Sequence, residues 1–197
     1  MRFAPLTMFA CAICALVGCF NEPEPAYKTV PADAYVYLSD KKLTKLPEVN
    51  VSAVYLNLDR NELQNVDGIG KLTSLKWLRL NLNKLSFLPD MKELVNLRRI
   101  YLKNNNFTSV PETLKDLPSL TDIELSGNPI KEVPQWLASK KGLENLSFNF
   151  TAIKKLPADL SAWSSLKSLQ LGDTPLGKDA EEMARIRAAL PDVAIIF

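Results

Sequence analysis

The chain has 197 residues and no histidine. That absence excludes His-based general acid–base chemistry and His-ligated metal sites. Cysteine is scarce and confined, because Cys11, Cys14 and Cys19 all fall in the first tenth of the chain. Beyond residue 19 there is no thiol for a disulfide, a zinc site or a nucleophile. Cys11-Ala-Ile-Cys14 has the spacing of a redox pair, but it lies within an apolar run rather than at a strand-to-helix turn and reads as small apolar filler. Neither sign of charge predominates, since 24 basic and 22 acidic residues leave a net charge of +2. Nucleic acid as a partner would need a basic excess on one face, and none is visible here. The apolar run Phe3 to Val17 is fifteen residues long, short of the roughly 20 that a membrane-spanning helix needs. What remains is a chain of ordinary globular composition, 47% hydrophobic and 23% charged, for which no cofactor and no metal are expected.

Arg2 followed by this apolar run has the form of a secretory leader. The run ends in Leu16-Val17-Gly18-Cys19, which resembles the bacterial lipobox. The resemblance implies cleavage after Gly18 and acylation of Cys19, with residues 1–18 as signal peptide. Acyl chains contribute about 0.8 kcal/mol per buried methylene, and two or more of them hold a protein on a bilayer where one barely does. Such a protein is anchored to the membrane by lipid alone. Residues 19–32 then form a tether. Pro23, Pro25 and Pro31 within it exclude a helix, and twelve extended residues at roughly 3.1 Å each reach about 35 Å. Phe20 stands where, in bacterial lipoproteins, an aspartate would signal retention in the inner membrane. The expected location is therefore the cell envelope, at the outer membrane if the cell has one.

From residue 33 onward the sequence repeats itself. The pattern L-x-x-L-x-L-x-x-N-x-L recurs at spacings of 22 to 23 residues from Ala53 to Leu63, Leu75 to Leu85, Leu97 to Phe107, Leu120 to Ile130, Leu143 to Ile153 and Leu166 to Leu176. A degenerate unit, Asp33 to Leu43, precedes them. Most units continue into an apolar-proline step, as at Leu88-Pro89, Val110-Pro111, Val133-Pro134 and Leu156-Pro157. These units resemble the leucine-rich-repeat family over almost the whole span. The resemblance implies an α/β solenoid, a right-handed coil with a short parallel sheet on its concave side and irregular or 3-10 structure on its convex side. The alternation itself gives the strand, with leucines pointing into the coil and the residues between them pointing out. One turn cannot bury its leucines alone, so stacked turns share a core. Asn61, Asn83, Asn105 and Asn128 occupy the inward turn, where an amide can satisfy backbone groups of adjacent turns. Thr151 and Thr174 replace it in the last two units, and a hydroxyl has fewer bonds to offer. The organisation expected is thus repeats over 33–176 and a cap over 177–197. In the cap, Asp179 starts a helix as one half of a capping box with Glu182, Met183, Ile186 and Leu190 form its apolar stripe, Pro191 stops it, and Val193 to Phe197 make a last strand.

The outward positions form two columns. One holds Tyr35, Tyr55, Trp77, Arg99, Asp122, Asn145 and Ser168, and the other Tyr37, Asn57, Arg79, Tyr101, Glu124, Ser147 and Gln170. With strands about 4.8 Å apart, Tyr55, Trp77, Arg79, Arg99 and Tyr101 should form one patch with Lys103 and Arg60 at its rim. Tyr, Trp and Arg are the residue types enriched in binding hot spots. The same groups can equally stack on one another as a cross-strand ladder, or do both. Asp122 and Glu124 are alternate residues on one strand and read as solvated charge rather than as an acid–base pair across a cleft. A protein or peptide partner for a monomeric solenoid is the expected function, an envelope glycan ligand or a spacer role the alternative, and an enzyme is not expected. Replacing Cys19 with Ser should release soluble, folded protein from the membrane fraction. If the variant stayed as firmly membrane-bound as the parent, the anchor assignment would fail.

Overall fold

A computed structural model describes residues 34–197, so the leader, Cys19, the tether and Asp33 lie outside the described residues. Eight three-residue strands form one parallel sheet in chain order: β1 (Tyr35–Tyr37), β2 (Tyr55–Asn57), β3 (Trp77–Arg79), β4 (Arg99–Tyr101), β5 (Asp122–Glu124), β6 (Asn145–Ser147), β7 (Ser168–Gln170) and β8 (Ala194–Ile196). Every neighbouring pair is in register at the repeat spacing, for example Tyr55 with Trp77, Leu56 with Leu78 and Asn57 with Arg79. A strand this short cannot fix its own register. The repeated leucines fix it, since a slip of one residue would turn each buried side chain out to solvent.

The middle residue of each strand from β2 to β7 is buried, and so is the apolar residue just beyond it: Leu58, Leu80, Leu102, Leu125, Phe148 and Leu171 form one fully buried column. The far wall of the core comes from the apolar-proline steps and the segments after them, where Met91, Leu114, Leu137 and Leu160 are buried. These segments run as 3-10 turns at Ile69–Lys71, Glu112–Leu114, Ser161–Trp163 and Leu176–Lys178, with one short α-helix, α1 (Gln135–Ala138). Trp163 fills the wall near the C-terminal end and donates its indole N–H to the Leu137 carbonyl at 2.9 Å.

Between strand and wall the chain turns inward on a residue of left-handed conformation. Arg60, Leu82, Asn104, Phe150 and Asp173 all have φ between 54° and 56°, and Gly127 has 68°. At Gly127 an added Cβ would come within 2.0 Å of the Asn104 side-chain oxygen, so a larger residue there would have to displace that amide. The asparagine that follows binds the turns together. Asn105 accepts the Leu85 amide at 3.0 Å and donates to the carbonyls of Leu80 at 2.9 Å and Leu102 at 3.0 Å, so one side chain bridges two turns. Asn61, Asn83 and Asn128 repeat this arrangement. Thr151 and Thr174 donate only within their own turns, to Phe148 and Leu171.

The C-terminal cap follows the expected order with one correction. Asp179 caps helix α2 (Ala180–Ala189) by accepting the amides of Glu181 and Glu182. Ile186 and Leu190 are buried under it, and β8 pairs with β7. Glu182, however, does not complete a capping box. Its buried carboxylate reaches to the preceding turn, accepts the Leu156 amide at 3.0 Å and is gripped by Arg185 at 2.7 and 2.9 Å. Arg185 also donates to the carbonyls of Leu156 and Ala158. The bonded guanidinium holds the Glu182 carboxyl below the usual carboxylate range. The pair therefore rivets the cap helix to the last apolar-proline step.

Truncating Leu102 to Ala should lower stability by ~2–5 kcal/mol, the usual cost of a cavity in a packed core. Lys103→Ala, one residue on and exposed, should shift the melting midpoint hardly at all. Equal shifts would mean that the inward and outward faces are assigned the wrong way round.

Candidate functional site

The outer face of the sheet carries the two columns expected from the repeat, and the register places their members side by side. Over β1 to β4 the side chains interlock. The Tyr55 ring lies 5.3 Å from that of Tyr37, 6.1 Å from that of Tyr35, and meets Trp77 edge-on at 5.9 Å. The Arg99 guanidinium stacks over Trp77 at 5.2 Å from the ring centre, and its Nε lies 3.8 Å from Asp122 Oδ2. Asp122 in turn accepts from Asn145 at 2.7 Å and from the Thr121 hydroxyl. A second series begins at Asp59, which pairs with Arg79 at 2.8 Å, while Arg79 stacks over Tyr101 at 5.1 Å.

These contacts make the ladder real, and they sort the expected binding residues by depth. Tyr55 and Tyr101 are each only 7% exposed and form the floor of the patch. Trp77, Arg79 and Arg99 are half-buried and stand between floor and solvent. Tyr37, at 61%, is the most exposed ring of the group. Lys103 and Arg60 are exposed past the ends of β4 and β2, as expected for a rim, with Arg60 3.9 Å from Asp40. An arginine whose edge is held by a carboxylate and whose face rests on a ring has lost its rotamer freedom before any partner arrives.

The half of the face over β5 to β7 differs in kind. Asp122 and Glu124 are not the solvated charges expected from the sequence. Asp122 is 7% exposed within the bonds just described. Glu124 is half-buried and accepts the Ser126 amide at 2.7 Å. Loss of hydration pushes its carboxyl above the usual range, against the opposing pull of the Ser126 and Ser147 hydrogen bonds and the Lys103 charge. Around it the short polar side chains satisfy one another. The Ser126 and Ser147 hydroxyls are 2.7 Å apart, and Gln170 accepts from Asn149 at 2.8 Å and from Ser147 at 3.3 Å. A network closed on itself in this way leaves few bonds to offer a ligand.

The sequence reading missed a third column, one step beyond the second. Asp59 accepts the Asn81 amide at 2.7 Å, Asn81 accepts the Lys103 amide at 2.8 Å, and Asn149 accepts the Gly172 amide at 2.7 Å. These side chains extend the sheet's hydrogen bonding past the strands. Their signal in the sequence is the recurrence of Asp, Asn and Ser two places before the turn asparagine or threonine.

A family pattern described as leucine rich repeat matches residues 91–130. The described structure is similar to the crystal structure of an internalin from Listeria monocytogenes, with a TM-score of 0.64 and 22% sequence identity over 75% of this chain. The fold is a leucine-rich-repeat solenoid. The match spans 42% of the internalin chain, and a comparison with curated proteins gives no match. Likeness at this identity concerns the fold, so what the solenoid displays must be read from its own side chains.

Proposed function

We propose that the chain is a lipid-anchored cell-envelope protein that binds a protein or peptide through the aromatic and arginine-rich half of its sheet face. The observation that carries this reading is the interlocked surface running from Tyr37 through Tyr55 and Trp77 to Arg99, with Asp59, Arg79 and Tyr101 beside it. Binding ordinarily costs about 0.5–1.5 kcal/mol for each long side chain that must be immobilised. Here neighbours already hold those side chains, so a partner meets a rigid surface of hot-spot residue types. Stabilising ladder and binding surface are in this reading the same object. No catalytic role is proposed for it.

Anchorage supports the same reading from the other end of the chain. Acyl chains on Cys19, at the outer membrane for the reason Phe20 suggests, would confine the solenoid to the bilayer surface, where a partner is met at high effective concentration. An extended tether gives it reach.

A photo-crosslinking residue at Tyr37 in the native envelope should give protein adducts identifiable by mass spectrometry. Trp77→Ala and Arg99→Ala should each weaken the affinity for the captured partner by about fivefold or more, equivalent to ~1 kcal/mol, with the thermal midpoint measured alongside to exclude unfolding. Ser168→Ala, at the far end of the first column, should do nothing. Gln170 is unsuitable as that control, because it is buried and bonded to two neighbours. Capture that survives both substitutions on a folded chain, or adducts only to peptidoglycan, would contradict the proposal.

A further inference from the structure

The replacement of asparagine by Thr151 and Thr174 coincides with an open groove on the described surface of the solenoid. The groove has a volume of about 610 Å³ and is lined by Phe150, Thr151, Thr174, Pro129, Pro175 and Lys178. It meets a second groove of about 700 Å³, lined by Val133, Leu156, Pro157 and the lysines Lys131, Lys154 and Lys155, and Ala152 lines both. The two together form a trough across consecutive turns, running from the turns that follow β5, β6 and β7 to the apolar-proline steps.

Three properties of this trough bear on what it could hold. Phe150 is 62% exposed, yet it occupies the left-handed turn position at φ 56°, where a bulky side chain is strained. Arg60, Leu82, Asn104, Gly127 and Asp173 fill the equivalent positions of other turns, and Phe150 is the aromatic ring that this position holds in solvent. Next, the floor is apolar and recessed, since Val133 and Leu156 are each 6% exposed. Finally, the lining holds four lysines, Lys131, Lys154, Lys155 and Lys178, against two acids, Glu132 and Asp173. Among the described residues none of the four lysines forms an ion pair, whereas Lys84 and Lys167 on other turns are each paired at 2.8 Å with Glu62 and Glu144. Of the nearby acids, Glu182 feels the charge of Lys155 but is itself bonded to Arg185, and the lining keeps an excess of positive charge.

We infer that this trough is a second docking site, which takes an extended acidic peptide segment of a partner protein, seating an apolar side chain against Phe150 and the proline-lined floor with carboxylates on the lysines. The shape favours a strand-like peptide over an anionic membrane, because a planar surface would touch the lysine tips and leave the recessed floor unfilled. Lysines here act as solvated point charges, so the electrostatic part of the affinity falls as salt is added. The site is independent of the sheet-face reading and shares no residue with it.

The test is selection of a random twelve-residue peptide library, displayed on phage, against the repeat-bearing chain. Parallel selections use Lys154→Glu/Lys155→Glu and Phe150→Asn, the second chosen because asparagine enters the left-handed region readily and leaves the turn intact. The expected result is enrichment of peptides combining Asp or Glu with an aromatic or aliphatic residue. Their dissociation constants should rise at least tenfold in each variant while the melting midpoint holds, and Trp77→Ala should leave them unchanged. No enrichment, enrichment of basic peptides, or affinities indifferent to both variants would overturn the inference. So would binding of phosphatidylglycerol vesicles through the same lysines with no peptide selected.

Discussion

Four successive turns of this chain are each bound to the preceding one by a single buried side chain. At Asn61, Asn83, Asn105 and Asn128 a single buried amide accepts a backbone N–H of the preceding turn and donates to carbonyls on both. The inward bend exposes backbone groups to an apolar interior, where an unpaired donor or acceptor costs about 1–3 kcal/mol. An amide, with two donors and an acceptor, meets that demand on both sides of the bend. Leucine burial supplies the driving force for stacking and fixes the register of the strands, and the amide ties one turn to the next where it is present.

Register is what turns a list of outward residues into a surface. With strands of three residues and parallel pairing throughout, Trp77 has Tyr55 on one side and Arg99 on the other, and nothing in the strands alone would hold it there. The ladder from Tyr37 to Asn145 and its companion from Asp59 to Tyr101 follow from that placement. Where the turn residue changes to threonine, the side-chain bond to the neighbouring turn is lost, and Thr151 and Thr174 line the trough together with Asn128. The proposed sheet-face site lies over turns that carry the amide, and the trough lies beside the last of them and the two turns that carry threonine.

The repeat made most of this legible from the sequence: seven of the eight strands, the two outward columns and the buried column through Leu102 follow from the period, and the last strand from the apolar run that ends the cap. The errors share one cause, which is that period gives direction and not reach. Asp122 points outward as expected but is short enough to be covered by Arg99, Asn145 and Thr121. Glu182 sits at the third helical position where a capping box places it, yet its length and Arg185 carry it to Leu156 instead. Gln170 faces outward and is closed off by Asn149 and Ser147. The lysine-lined trough was illegible because its members come from turns about 22 residues apart, and a balanced net charge conceals a local excess.

Amide hydrogen exchange reads the proposed division of the stack directly. The amides of Leu63, Leu85 and Phe107, each accepted by an asparagine of the following turn, should exchange markedly more slowly than those of Ile130 and Ile153, where that position is threonine. Thr151→Asn should then slow exchange at Ile130 specifically and leave Leu63 unchanged. If all five amides exchanged alike, or if Thr151→Asn left Ile130 untouched, the side-chain bridge would not be what binds turn to turn.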